Sequence, residues 1–325
     1  MEAKTVLVTG IGGNVGQGVL RNIISLKENI RVIGVDISSF TAGNHLCDVT
    51  YKVPYAYDDL YIPTIQEIVK KEKIDLVIPT TDYEVYFLSL NKLNIDAVIA
   101  ASEARTAKTY LDKYLTFVFH QEHNIPFAMS WLPKDYDGSC DEIILKPREG
   151  RGSRGILKNP PNPNHFSDEF MIQPLHKGRE ITTAFYVKRN GLLHGMFTME
   201  RELSHGATSK SVVTKQYDKE LYVIIDKMIS VGGLAGSINL QCIVDEKENI
   251  IPFEVNCRIS GTNSIRHNLG FQDVKYTIQE YLFQQEPDEV KSTSGIAIRL
   301  LYDVIYPGAT NENDLNNNTS NFIVY

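Results

Sequence analysis

Residues 5–9 (TVLVT) form an apolar, β-branched run that leads straight into Thr9-Gly10-Ile11-Gly12-Gly13-Asn14-Val15-Gly16. Apolar residues then recur at Val15, Val19, Leu20, Ile23 and Ile24, which is a helical period. Short apolar runs return at 31–35 (RVIGV), 75–79 (DLVIP) and 97–100 (AVIA), with a helix-like stretch at 62–71 between the first two. Strands that alternate with helices need crossover connections, so this part is expected to form a parallel α/β sheet with helices on both faces. A Rossmann-like domain over residues 1–106 is the expectation.

Past Thr106 the pattern changes. Residues 107–122 read as a single helix, closed by Asn124 ahead of Pro126. Strands are expected at 142–146 and 180–188, with a Pro/Asn-rich loop at 159–164. The polar stretch 201–215, with Gly206, reads as a loop. A helix at 219–231, strands at 237–244 and 250–255 joined by a charged turn, and a helix at 274–283 follow. The Asn-rich tail beyond Pro307 has few apolar residues before Phe322.

A chain of 325 residues is long enough for two or three domains. With 42% hydrophobic and 22% charged residues, disorder is excluded as its main state. The 33 basic and 40 acidic side chains give a net charge of −7, which disfavours nucleic acid and anionic membranes as partners. No apolar stretch approaches 18 residues, and 5–8 is too short for a signal-peptide core, so a cytoplasmic location is expected. Cys47, Cys140, Cys242 and Cys257 form no CxxC pair, which points to thiols in a reducing compartment rather than a zinc knuckle or redox pair.

The N-terminal glycines fit a dinucleotide loop, and Asp36 lies twenty residues after Gly16, where an acid could hold a ribose. Glycines there can equally serve a tight strand–helix turn. A nicotinamide-dependent reductase or epimerase of the short-chain type needs Tyr-x-x-x-Lys. None of the 17 tyrosines has a lysine four residues later, which disfavours that function.

The chemistry concentrates between Lys113 and Arg258. A strand ending at Lys146-Pro147 precedes Glu149-Gly150-Arg151-Gly152-Ser153-Arg154-Gly155. Glycines let backbone N–H groups turn toward a phosphate, and a nearby lysine adds a point charge. A flexible hairpin tip is the competing reading. Gln173, Pro174, Leu175 and His176 make an apolar strand end suited to a purine, with Glu180 placed for ribose hydroxyls. Glu254 and Asn256 share a face of one strand, and a hairpin can bring them to Gln241 on the preceding strand. One carboxylate with two amide oxygens suits Mg²⁺ when a nucleotide supplies more oxygens. Arg258 follows on the same face and could stabilise anionic charge on a transferring group. A polar outer face of a β-hairpin is the alternative.

Taken in order, Asp112-Lys113, Lys146-Pro147 with its glycine loop, Glu180, and Gln241…Glu254-x-Asn256-x-Arg258 resemble the ATP-grasp superfamily over roughly residues 75–285. The pattern is most similar to the large-subunit half of carbamoyl phosphate synthase and to short ligases like it, which also carry Gln at the first metal position. The resemblance implies a Rossmann-like pre-ATP-grasp domain (1–106) and a two-subdomain ATP-grasp fold, α/β and α+β. The small subdomain would span 107–180 and the large one 181–310, with a tail at 311–325.

It further implies an ATP-dependent ligase that activates a carboxylate as an acyl phosphate for attack by an amine or other nucleophile. Lys113, Lys146 and the loop of Gly150, Gly152, Ser153 and Gly155 would hold the phosphates. Gln173, Pro174, Leu175 and His176 would hold adenine, and Glu180 the ribose. Gln241, Glu254 and Asn256 would bind two Mg²⁺ ions, with Mn²⁺ as a substitute. Arg258, with Lys146, would act at the acyl phosphate. Ser260, Gly261, Asn263 and Arg266, and the segment around His205, are candidates for contacts to small-molecule substrates, and a homodimer is the expected assembly.

Phosphorylation of bicarbonate or carbamate and a non-catalytic nucleotide-binding subunit remain alternatives. Two departures stand out. Gln173 replaces a common Glu, and Cys257 replaces the Pro of Asn-Pro-Arg. At 325 residues the chain is also far shorter than a carbamoyl phosphate synthase large subunit, so that whole reaction is not expected of it alone.

Overall fold

The structure, a computed structural model, describes residues 3–312, 315 and 320–325, except for 151 and 153. The N-terminal part runs β1 (Lys4–Val8), α1 (Asn14–Ser25), β2 (Ile30–Asp36), β3 (Val49–Lys52), α2 (Tyr61–Glu72), β4 (Leu76–Ile78), α3 (Asp82–Leu90) and β5 (Val98–Ile99). Its five strands are parallel in the order β3-β2-β1-β4-β5. Strand succession reverses between β1 and β4, so the loops after these two strands border the crevice where open α/β sheets place ligands. Strand β3 (VTYK) was not anticipated from sequence: its alternation is short, and none of its residues is fully buried.

Two helices follow, α4 (Ala104–Leu111) and α5 (Lys113–Glu122), where a single helix over 107–122 was expected. The break is at Asp112. Its backbone is extended, and its carboxylate accepts the N–H groups of Tyr114 and Leu115, making it the N-cap of α5.

Beyond them lies a three-stranded sheet, ordered β7-β6-β8, built from β6 (Ile143–Pro147), β7 (Leu157–Lys158) and β8 (Phe170–Pro174). A larger antiparallel sheet then uses β9 (Arg179–Val187), β10 (Leu193–Ser204) and β11 (Ala207–Val213). After α6 (Asp218–Ser230) come β12 (Gly236–Val244), β13 (Ile250–Asn256), α7 (Asn263–Asn268), α8 (Asp273–Thr277) and β14 (Ile296–Ile298). The sheet order is β13-β12-β9-β10-β11-β14. A small β15 (Val304–Ile305) and β16 (Ile323–Val324) pair near the end.

The stretch 201–215, expected to be a loop, is mostly the β10–β11 hairpin, with His205 and Gly206 at its tip in left-handed conformations. Its polar side chains hid the strand alternation.

The two halves share one core. Ile259, Val274 and Ile278 pack with Val6, Val8, Val19 and Ile23 in a single buried cluster. Helix α1 meets α7 closely enough that a Cβ on Gly18 would lie 2.3 Å from Asn263 Oδ1.

Candidate active site

The antiparallel register pairs Lys146 with Met171 and Ile144 with Gln173, so these four side chains share one face of the small sheet. Lys146 is buried there. Its Nζ donates to the Phe253 carbonyl at 3.4 Å and lies 5.4 Å from the Phe253 ring centre. Burial pulls its pKa down to about 8, a shift that Glu254 opposes and Lys113 reinforces. Lys113, first residue of α5, reaches the same spot because Asp112 ends the preceding helix. Its Nζ donates to the Gly150 carbonyl at 3.1 Å and stands 3.9 Å from Glu254 Oε1.

Across the cleft, Gln241 on β12 pairs with Glu254 on β13, and Asn239 with Asn256. Gln241 Nε2 donates to Asn256 Oδ1 at 2.9 Å, and Asn256 Nδ2 donates to Glu254 Oε1 at 3.2 Å. Burial pushes the Glu254 carboxyl up, but Lys113, Lys146, Asn256 and Arg258 together hold it below the ordinary glutamate range. A carboxylate kept ionised beside two amide oxygens is a hard-oxygen donor set, which suits Mg²⁺. Two lysines and an arginine around one carboxylate leave the pocket net positive, as a polyphosphate requires.

Two further residues belong to this cluster and were missed from sequence. Arg201 on β10 donates to Glu180 Oε1 (3.0 Å from Nε, 2.5 Å from a terminal nitrogen) and to Gln241 Oε1. It links the expected ribose acid to the first metal position, and reading its segment as a loop concealed it. Asp82, from the first turn of α3, accepts from Arg258 and Asn256. It comes more than 170 residues before its partners, so no local spacing could signal it.

The glycine loop is anchored at its root. Arg148 donates to the Asp112 carboxylate at 2.5–3.1 Å, Lys108 pairs with Glu149 at 2.9 Å, and Lys113 holds Gly150. Gly152 and Gly155 have φ of +62° and +71°, where side chains are strained. The Gly206 tip of the β10–β11 hairpin presses on this loop: a Cβ there would lie 2.5 Å from the Gly152 carbonyl. Ser153 lies outside the described residues.

At the hinge, Gln173 is buried and donates to Ser130 Oγ at 2.9 Å. Pro174 ends β8 opposite Ile143. The backbone N–H groups of Leu175 and His176 are engaged by Glu142 and Pro174. These two backbone donors are therefore already used, which leaves the side chains of Gln173 and His176 as the polar groups at this strand end. The His176 Nε2 atom is buried without a partner, and burial lowers the pKa of its ring.

The turn after Arg258 corrects the substrate expectation. Arg266 is fully buried and donates to Asp273, Ser260 and Thr262. Asn263 donates to the carbonyls of Val15 and Ser260. The Gly261 carbonyl accepts from Arg299 at 2.6 Å. Asn263 and Gly261 thus dock this turn onto α1, while Ser260 and the fully buried Arg266 are tied into hydrogen bonds of the turn itself. The N-terminal glycine loop is engaged by contacts within the chain. Gly261 packs on Asn14, and Gly12 N–H donates to Asp36 at 2.9 Å, so the acid is used inside the loop.

No curated protein matches the sequence. Residues 6–100 match the family described as PylC-like, N-terminal domain. Among solved structures, N5-carboxyaminoimidazole synthetase from Staphylococcus aureus complexed with ADP superimposes with a TM-score of 0.77 at 14% identity, covering 93% of this chain and 83% of that one. The biotin carboxylase domain of Hydrogenobacter thermophilus 2-oxoglutarate carboxylase, solved as a dimer with MgADP, ADP and bicarbonate, gives 0.71 at 14% identity, covering 91% and 74%. Biotin carboxylase from Campylobacter jejuni gives 0.64 at 14% identity, covering 84% and 70%. Parallel N-terminal sheet, small three-stranded sheet and large antiparallel sheet together make the architecture that this chain shares with those synthetase and biotin carboxylase structures.

Proposed function

We propose that this chain is an ATP-dependent ligase that activates a carboxylate as an acyl phosphate for attack by an amine or other nucleophile. The observation that carries the reading is Glu254, kept ionised between Lys113 and Lys146 and tied to Asn256 and Gln241. That arrangement prepares a site for metal-bound phosphate rather than for hydride chemistry. The domain division at 106, 180 and 310 belongs to the same proposal, as do a cytoplasmic setting and a homodimeric assembly. Among the described residues no helix is long and apolar enough to cross a membrane.

In this reading Gln173 and His176 hold the base, and Glu180, steadied by Arg201, holds the ribose. Lys113, Lys146 and the glycine loop fix the phosphates. Gln241, Glu254 and Asn256 would hold two Mg²⁺ ions, or Mn²⁺ in their place, which neutralise charge shared between phosphate oxygens. Arg258 stabilises the acyl phosphate. The protein's contribution is positioning and charge neutralisation. Bicarbonate as the activated carboxylate is the second reading, favoured by the bicarbonate bound in the H. thermophilus relative.

The test compares the wild type with Glu254→Ala. Mg·ATP at about 100 times Kd should stabilise the wild type by roughly 2.7 kcal/mol. The variant should lose most of that gain and its ADP release with a panel of carboxylates that includes bicarbonate. Full ADP release by Glu254→Ala would overturn the assignment.

A further inference from the structure

The Arg258 side chain is held from the other half of the molecule. Its Nε donates to Asp82 Oδ2 at 3.0 Å, one terminal nitrogen lies 2.8 Å from the same oxygen, and the other donates to the Ile259 carbonyl at 3.2 Å. A guanidinium has five N–H donors, so these contacts fix its plane and leave two donors, one on each terminal nitrogen. Asp82 is itself rigidly mounted. Thr81 caps α3 in a reciprocal capping box with Glu84. The buried Glu84 carboxylate accepts from Thr9 Oγ1 at 2.7 Å, and Thr80 Oγ1 donates to the Thr9 carbonyl at 2.8 Å. The end of β1 therefore clasps the start of α3, at the crevice where strand order reverses. Asp82 Oδ1 also meets Asn256 Nδ2 at 3.4 Å.

A buried pair elsewhere shows the contrast. Arg266 and Asp273 have side chains 0% exposed and only join elements. Arg258 and Asp82 remain 13% and 17% exposed, at the rim of the cleft. From this geometry we infer that Asp82 is a positioning residue: it holds the Arg258 guanidinium in the plane that receives the acyl phosphate, so the N-terminal domain completes the active site. The inference rests on the ligase reading of Arg258.

Binding separates the two ideas without requiring turnover. Titration calorimetry would use Mg·ADP, then phosphonoformate (a stable carboxylate–phosphonate mimic) added to the Mg·ADP complex. The proteins are wild type, Asp82→Asn, Asp82→Ala, Arg258→Ala and Asp82→Asn/Arg258→Ala, each checked by Tm. We expect Asp82→Asn to keep Mg·ADP affinity within about threefold while weakening phosphonoformate about tenfold or more, as loss of a charge-assisted clamp should. Asp82→Ala should do the same, and the double variant should be no weaker than Arg258→Ala, because the two residues act as a unit. Unchanged phosphonoformate affinity in both Asp82 variants, or losses that multiply in the double variant, overturns the assignment of Asp82. So does a wild-type Mg·ADP complex that ignores phosphonoformate. A wild type that fails to bind Mg·ADP sinks the ligase reading itself, and this inference with it.

Discussion

Lys146 carries an ammonium into a place where water does not follow, and burial draws its pKa down to about 8. Such a charge opposes folding, and unlike buried Arg266 it has no carboxylate in direct hydrogen-bond contact among the described residues to offset the cost, which marks it as a ligand contact. Lys146→Met keeps the length of the side chain and removes the charge. We expect its Tm to equal or exceed that of the wild type while Mg·ATP affinity falls about tenfold or more, since a charged phosphate contact is lost. Thermal melts and calorimetry on the same samples check both halves, and a lower Tm with unchanged affinity would make Lys146 a structural residue. At this scale the sequence was informative where chemistry follows local spacing: Glu254-x-Asn256 had to share a face, and Lys146 had to end a strand before the glycines. It was silent on Arg201 and Asp82, whose roles exist only through partners 40 and 176 residues away.

Helices α4 and α5 show how a single side chain redirects an element. The apolar period runs unbroken across 107–122, and only the capping carboxylate of Asp112 splits it, which is why one helix was expected. The split starts α5 at Lys113, and one face of the helix buries Lys113, beside the cleft, together with Thr116 and His120. His120 packs edge-on against Tyr110 and Phe127, and its Nε2 has no partner. Burial lowers its pKa to about 4, with His123 adding to the shift and the Pro126 carbonyl opposing it. The sign follows from linkage. Above pH 6.5 the ring is neutral whether the chain is folded or unfolded, so it has no effect. As pH falls from about 6.5 to about 4, the unfolded chain binds a proton that the folded chain refuses, and stability is lost. At about 1.4 kcal/mol per pH unit the loss reaches roughly 3 kcal/mol. Denaturant melts at pH 7 and pH 4.5 should show it, and His120→Phe should flatten that part of the profile. An identical acid limb in the variant would place the titration elsewhere.

For the whole molecule the decisive fact is that the two halves form one packed unit rather than two tethered domains. Each half was legible from its own periodicity: alternating strands and helices first, then hairpins. Their docking was not, because it depends on contacts such as Gly18 against Asn263 and Gly261 against Asn14 that no periodicity encodes. Gly18, two residues past the glycine motif, and Gly261 allow this close approach. The docking also sets Asp82 against Arg258, so the stability of the joint and the geometry of the site depend on the same surfaces. Gly18→Ala is the sharpest probe of it. Helix propensity alone would favour alanine by about 1 kcal/mol. The added Cβ would lie 2.3 Å from Asn263 Oδ1, and Asn263 is fully buried and hydrogen-bonded, so it cannot yield cheaply. We expect a net loss of about 1–3 kcal/mol, as for other overpacked cores. Ile24→Ala on the exposed side of the same helix should change stability by less than about 0.5 kcal/mol. If the joint presents Asp82 to Arg258, Gly18→Ala should also weaken phosphonoformate binding to the Mg·ADP complex more than it weakens Mg·ADP itself. A gain in stability would mean that α1 and α7 do not meet as described.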